Sequence, residues 1–372
     1  MTELKSKQTF QNLNGLRFIG ALSVFIFHSF TLSREIWGDF YQNPAFKVLY
    51  QIASRGHFGV GLFFVLSGFL ITTLMLRELK ETQTIHIKNF LVRRILRIWP
   101  VYFTLVLFGF FLFPLLPFGK ETVHSFPNFA IFLSNMDEIW VGWKDNLSFL
   151  TVTWSVSVEE QFYLLLFLML GIFPFLRSKR TLLLYFAGIV ILDVVFRLLN
   201  FNNERAIYYH SFSVMSDLAI GGFLAIWLSS KGEFYILKLS RFQTMGIYLI
   251  GIVVLLFSRQ IFHGYWVSIE RIFHGLFFAF VLVDQMLSKH SWFKADKLPG
   301  FYFSGNLTYA FYMFHCVSLY YWAIYFDHHG LTNSIGWFVL YIVVNFATTY
   351  AISLLSYYLL EQPFLRMKRY FR

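Results

Sequence analysis

About ten runs of apolar residues, each long enough to cross a hydrocarbon layer, leave little room for any architecture other than a helical membrane bundle. The runs cover roughly residues 14–33, 57–76, 100–118, 153–176, 181–199, 209–229, 242–258, 265–287, 304–326 and 334–359. A helix rises ~1.5 Å per residue, so about 20 residues span a ~30 Å core with their backbone N–H and C=O groups bonded within the segment. The sequence is 57 % hydrophobic and only 14 % charged, far too apolar for a soluble core of this length. These features predict an all-α, polytopic helical membrane protein of about ten transmembrane helices, a single integral domain over residues 1–372. No Gly-, Ser- or Pro-rich linker divides it, and no appended soluble domain is expected. The segment Met1 to Asn14 is polar and no small-residue cleavage site follows the first run, so that run is expected to persist as a helix.

A net charge of +11 would suit a nucleic-acid-binding protein if the basic residues formed one patch. They alternate with the spans instead. One set of loops holds Lys5 and Lys7, the group Arg77, Lys80, Lys88, Arg93, Arg94 and Arg97, then Arg177, Lys179 and Arg180, Lys231, Lys238 and Arg241, Lys289, Lys294 and Lys297, and finally Arg366 to Arg372. The other set holds only Arg34, Lys47, Arg55, Lys120, Lys144, Arg205 and Arg259. This is the positive-inside pattern, which predicts both termini in the cytoplasm and makes the charge a topology signal. The longest stretch between spans, Gly119 to Val152, falls on the outer side; its piece FPNFAIFLSNM is apolar but too short to cross and reads as re-entrant or interfacial.

Ionisable side chains inside such runs are costly and tend to mark a pathway or a reaction centre. Arg17 and His28 share the first run, eleven residues apart. Eleven helical steps of ~100° return to nearly the same face while separating the side chains by roughly 16 Å along the axis. At the entry to the third run, Arg94 and Arg97 share a face with Arg93 alongside. Such a cluster serves either as a positive-inside stop or as a seat for a phosphorylated cytoplasmic ligand. Glu159 and Glu160 enter the fourth run below its first turn, at about the depth of His28, where a carboxylate could orient the imidazole as a general base. Asp193 and Arg197 are spaced to pair along one helix, and Glu270 and Arg271 sit near the end of theirs. Asp217 and Asp284 have no cation adjacent in sequence, and His315 is either a satisfied core residue or a cavity liner. Cys316 is the only cysteine, the histidines make no HExxH spacing, and the His328-His329 pair is too little for a site. No metal site is expected.

Six sequence elements in order carry a family resemblance: GLRFIGALSVFIFH with Arg17 and His28, GVGLFFVLSGFLIT with Ser67, RRILRIWPVY with Arg94 and Arg97, WSVSVEEQFYLL with Glu159 and Glu160, LTYAFYMFH with Tyr309 and His315, and EQP at Glu361 to Pro363. The chain resembles acyltransferase family 3, integral membrane O-acyltransferases that acylate sugars of bacterial surface glycans. Gly61 and Val317 depart from the family pattern, which often has an acidic or polar residue and a proline there. The resemblance implies an enzyme of the bacterial cytoplasmic membrane that moves an acyl group, expected to be acetyl, from cytoplasmic acyl-CoA to a hydroxyl of an extracytoplasmic glycan. Acyl-CoA would be a co-substrate, with no permanently bound cofactor. It further implies His28 as general base oriented by Glu159 or Glu160, donor binding by Arg17, Arg94 and Arg97, a cavity lined by Ser67, Tyr309 and His315, and a structural or orienting role for Glu361. The rival reading is a polytopic transporter of a lipid-linked or small polar substrate, with the same buried charges forming its path. Against it stands the lack of an inverted repeat or of matching Gly/Pro-broken runs.

Overall fold

The computed structural model describes residues 12–34, 36–117, 119–120, 122–142, 148–232, 239–288 and 291–371. Lys5, Lys7, Lys144, Lys238, Lys289 and Arg372 lie outside the described residues. Among the described residues all regular structure is helical. The main helices follow the apolar runs: α1 (Leu13–Leu32), α2 (Gly59–Thr82), α3 (Ile87–Leu107), α4 (Trp154–Ile172), α5 (Lys179–Leu199), α6 (Met215–Trp227), α7 (Arg241–Leu256), α8 (Val267–Leu287), α9 (Phe301–His328) and α10 (Ile335–Ser356). Of the described helical stretches, 7 are long and apolar enough to cross a membrane by length and composition; α6 and α7 belong to shorter apolar helices, and α9 runs for 28 residues.

Helix starts follow local chemistry. Ser178 accepts from the Thr181 N–H at the start of α5, Ser334 accepts from that of Trp337 at the start of α10, and Ser240 and Gln243 form a reciprocal capping box on α7. Helix packing then depends on small residues, because lipid offers no hydrophobic force to drive two helices together and close backbone approach takes over. The most extensive pairings are α2 with α6 and α1 with α9, followed by α9 with α10. At the α2–α6 seam, a Cβ on Gly68 would collide with the Leu218 carbonyl oxygen, and one on Gly221 with that of Val65. Gly305 likewise lets α9 close on the Asn14 backbone of α1. Helix α1 thereby sits between α2 and α9, with Arg17 toward its first turn and His28 in its last two turns.

The apolar piece between the third and fourth runs folds as two short helices, Phe126–Ala130 and Ser134–Val141. They are tied to α4 rather than free: Ser134 Oγ meets Ser157 Oγ at 2.7 Å, and Gln161 donates to the Phe132 carbonyl at 2.7 Å and to Asn135 at 2.8 Å. Beneath them lies a buried polar cluster that the sequence reading missed. His124 Nδ1 is 2.7 Å from Asp137, and its Nε2 is 3.5 Å from Glu138. Burial pushes the Glu138 carboxyl up to about 7. Burial works the same way on Asp137, but hydrogen bonds from His124 and Asn128 prevail and hold it below its ordinary value.

Candidate active site

The His28 ring belongs to a short chain of hydrogen bonds with α9. His315 Nδ1 lies 2.5 Å from the Tyr312 carbonyl oxygen, and His28 Nδ1 lies 2.8 Å from His315 Nε2. A carbonyl can only accept, so His315 carries its proton on Nδ1 and offers the Nε2 lone pair. His28 must then donate from Nδ1, which leaves its own Nε2 unprotonated as the basic atom. The two rings lie nearly parallel, with centroids 5.0 Å apart. Cys316 Sγ completes the group, 3.3 Å from His315 Nε2 and 3.6 Å from His28 Nδ1.

His28 and Cys316 line a cavity of about 1000 Å³ together with Phe27, His57, Trp154 and Tyr208. A chamber of about 270 Å³ adjoins it, sharing His57, Trp154, Glu204, Tyr208 and Glu270. Its walls carry two ion pairs. Arg197 Nη2 donates to Glu270 at 2.9 Å, with further bonds to the carbonyls of Val267, Ile207 and Ser213, and Arg271 pairs with Asp217. Asp193 and Arg197, expected to pair along α5, are electrostatic neighbours there but share no hydrogen bond. The hydrogen bonds of Arg197 go to Glu270 and Val267 on α8 and to Ile207 and Ser213 before α6, and both Asp193 carboxylate oxygens lack a hydrogen-bond partner.

The other end of α1 gathers charge. Arg17 faces Arg94, Arg97, Glu159 and Tyr163 at electrostatic range, and Arg97 also faces Glu361. Arg94 stacks over the Tyr163 ring, 4.7 Å from its centroid, and the Tyr163 hydroxyl bonds Ser67 and approaches Glu159 at 3.5 Å. Arg97 remains exposed although it lies three turns inside α3. The charges around it put that exposure on the protein side of the helix. Arg93, by contrast, is committed to structure, donating to the Phe371 carbonyl at 2.6 Å and to Glu78 at 3.3 Å.

Two expectations about this site are corrected. Neither Glu159 nor Glu160 orients His28: Glu159 belongs to the arginine group, and Glu160 accepts from the Trp99 indole N–H at 3.3 Å. A 3₁₀ turn, Phe149–Thr153, precedes α4, and it is Ser155 that meets Tyr312, at 2.8 Å. Glu159 follows Ser155 by one helical turn, ~6 Å, and so falls at the arginines' level. His315 is the partner of His28. The second correction concerns lining: Ser67, Tyr309 and His315 lie on neither of the two cavities described above. Ser67 bonds Tyr163, Tyr309 donates to the Ile98 carbonyl at 2.8 Å, and His315 stands behind His28. Glu361 is buried beside Arg97 and Lys368, and its Oε1 has no hydrogen-bond partner.

One helix thus has a group of arginines at one end and, at the other, an imidazole with an unprotonated ring nitrogen whose residue lines a large cavity. The chain belongs to acyltransferase family 3, whose acyltransferase domain matches residues 10–354. It is 26 % identical to a provisionally named O-acetyltransferase of Staphylococcus aureus strain COL over 98 % of this chain and 58 % of that protein. It is 29 % identical to the peptidoglycan O-acetyltransferase OatA of Listeria monocytogenes over 49 % of this chain and 31 % of that protein, and 28 % identical to the provisionally named peptidoglycan O-acetyltransferase YrhL of Bacillus subtilis over 58 % and 32 %. The chain thus spans well under two thirds of the length of these curated relatives. No solved structure matches it.

Proposed function

We propose that this chain is a membrane O-acetyltransferase that takes the acetyl group from acetyl-CoA on the cytoplasmic side of a bacterial cytoplasmic membrane and transfers it to a sugar hydroxyl of the cell-envelope glycan on the other side. The observation that carries this reading is the tautomer of His28, set by the His315–Tyr312 chain so that Nε2 is unprotonated, in a residue that lines the large cavity. In this reading the arginine-rich end is cytoplasmic, in keeping with the loop charges, and both termini lie there. The coenzyme's phosphates are held by Arg94 and Arg97, with Arg17 at the inner limit. Glu159 balances that positive charge and keeps the three guanidiniums from repelling one another apart. The pantetheine arm runs beside α1 over the roughly 16 Å between Arg17 and His28.

The sugar hydroxyl enters from the large cavity, where Trp154 and Tyr208 supply aromatic faces and His57 and Glu204 polar ones. His28 Nε2 takes the hydroxyl proton as the oxygen attacks the thioester carbonyl carbon. The hydrogen bond to His315 strengthens as His28 becomes cationic, which stabilises the transition state selectively. Collapse of the tetrahedral intermediate breaks the carbon–sulfur bond. The departing thiolate takes the proton from His28, giving the ester and free CoA. The glycan class rests on the named activities of the Listeria and Bacillus relatives.

The test uses purified protein in proteoliposomes, labelled acetyl-CoA and a cell-wall glycan fraction. Wild type is expected to place alkali-labile label on the glycan, and His28→Ala to place essentially none. Equal labelling by the two would remove His28 from the reaction. Solute counterflow without acyl transfer would instead establish a carrier.

A further inference from the structure

We infer that His28, His315 and Cys316 form a binding site for a thiophilic divalent transition metal such as zinc, and that a metal seated there shuts off acyl transfer. The three residues offer Nδ1, Nε2 and Sγ, all within 4.8 Å of one another. Zinc bonds nitrogen at ~2.0–2.1 Å and thiolate sulfur at ~2.3 Å, so tetrahedral angles require edges of about 3.3 Å between two nitrogens and about 3.6 Å between nitrogen and sulfur. The observed edges are 2.8 Å for the two nitrogens and 3.3 and 3.6 Å from sulfur to each of them. Opening the nitrogen pair by about half an ångström completes a triangle that the hydrogen bond already holds together.

Three further features fit a metal. The remaining ring nitrogen of His315 is bound to a backbone carbonyl, the outer-shell contact that fixes a ligating imidazole in the right tautomer. His28 and Cys316 both line the large cavity, so an ion has an entry route and its fourth coordination position can hold water. The donor set is nitrogen and sulfur without a carboxylate, which selects zinc, copper or cobalt and rejects magnesium and calcium. Binding displaces the proton of the Cys316 thiol, so it tightens as pH rises, and it moves the single ring proton of His28 from Nδ1 to Nε2.

Inhibition follows from which atoms the ion occupies, and this part rests on the acyltransferase reading. The metal takes His28 Nδ1 and His315 Nε2, the two ends of the orienting hydrogen bond. A dication on the ring also opposes its conversion to the imidazolium. His28 can then no longer accept a proton from the sugar.

The test titrates Co²⁺, zinc's spectroscopic stand-in, into purified metal-free protein in detergent. One equivalent is expected to produce tetrahedral ligand-field bands together with a thiolate-to-cobalt charge-transfer band, both displaced by Zn²⁺. Cys316→Ala is expected to lose the charge-transfer band and to weaken binding by more than ~100-fold, beyond the range for losing an outer-shell partner. Because Cys316 is the only cysteine, wild type supplies a second readout that needs no variant: bound Zn²⁺ should block its alkylation by a small maleimide. Absence of the charge-transfer band in wild type, its persistence in Cys316→Ala, or unprotected alkylation would each overturn the site. In the transfer assay, Zn²⁺ applied from the cavity side should inhibit wild type and spare Cys316→Ala; saturating Zn²⁺ with undiminished transfer would overturn the inhibition. Should wild type transfer nothing even without metal, the enzymatic reading fails while the cobalt spectrum still decides the site.

Discussion

Replacing His315 by alanine isolates the bond that gives His28 its tautomer. The substitution removes the acceptor 2.8 Å from His28 Nδ1 and leaves that N–H facing a void. A hydrogen bond to a group that becomes charged contributes about 1.5–3 kcal/mol, and its full value is felt only as the imidazolium forms. At ~1.4 kcal/mol per decade, kcat should fall by roughly 10- to 150-fold. The KM for acetyl-CoA should stay within about twofold, because in the proposed reading its phosphates are held by Arg94 and Arg97 at the far end of α1. His315→Gln, whose side-chain oxygen can also accept, should recover part of the loss. The assay is initial-rate transfer in proteoliposomes with each substrate varied in turn. A His315→Ala enzyme with wild-type kcat, or one whose defect lies wholly in the KM for acetyl-CoA, would refute the assignment of His315 as the positioning partner.

Arg94→Ala combined with Arg97→Ala should raise the KM for acetyl-CoA at least tenfold with little change in that for the glycan, measured in the same assay; unchanged donor affinity would return the pair to a topology role. Gly221→Val puts a branched side chain against the Val65 carbonyl, and since backbone cannot yield cheaply, melting of the detergent-solubilised protein should show a loss of about 1–3 kcal/mol or more. For Glu138, a rise from 4.5 to about 7 corresponds to roughly 3 kcal/mol. The folded state holds the proton more tightly, so this group's penalty is absent below about pH 4.5, grows as pH rises and is complete above about 7. Glu138→Gln should abolish that part of the pH dependence, and parallel melting curves for variant and wild type across this window would contradict it. His124, Asp137 and Arg205 surround the same carboxylate, which is why the comparison is with the isosteric amide.

Much of the bundle was legible because hydropathy runs are set by the bilayer and survive any rearrangement of helix neighbours. The helical spacing of Arg17 and His28 was legible for the same reason, being a property of one helix. What failed was depth across helices. Helix α4 starts within a residue of the expected run, but its packing against α9 sets Ser155 beside Tyr312 and leaves Glu159, one turn further on, among the arginines. The His28–His315–Cys316 group was hidden by sequence separation: residues 287 apart meet only because α1 and α9 pack side by side. Arg197 keeps Asp193 as the charged neighbour that the spacing indicated, but its hydrogen bonds go to a carboxylate and three carbonyls from other elements, which spacing along one helix does not show. His124 between two carboxylates carried no signal beyond HxxxxxxxxxxxxDE in a loop, which is too loose a pattern to act on.

The proton address of the base is written in main chain. It is the Tyr312 peptide carbonyl, one turn back along the helix of His315, that dictates which nitrogen of each ring is free. Neither Trp154, Tyr208 nor Glu204 of the large cavity takes part in that dictation. A change in the lining of that cavity therefore leaves the protonation pattern of the two rings as it is, because the pattern is anchored to backbone behind them.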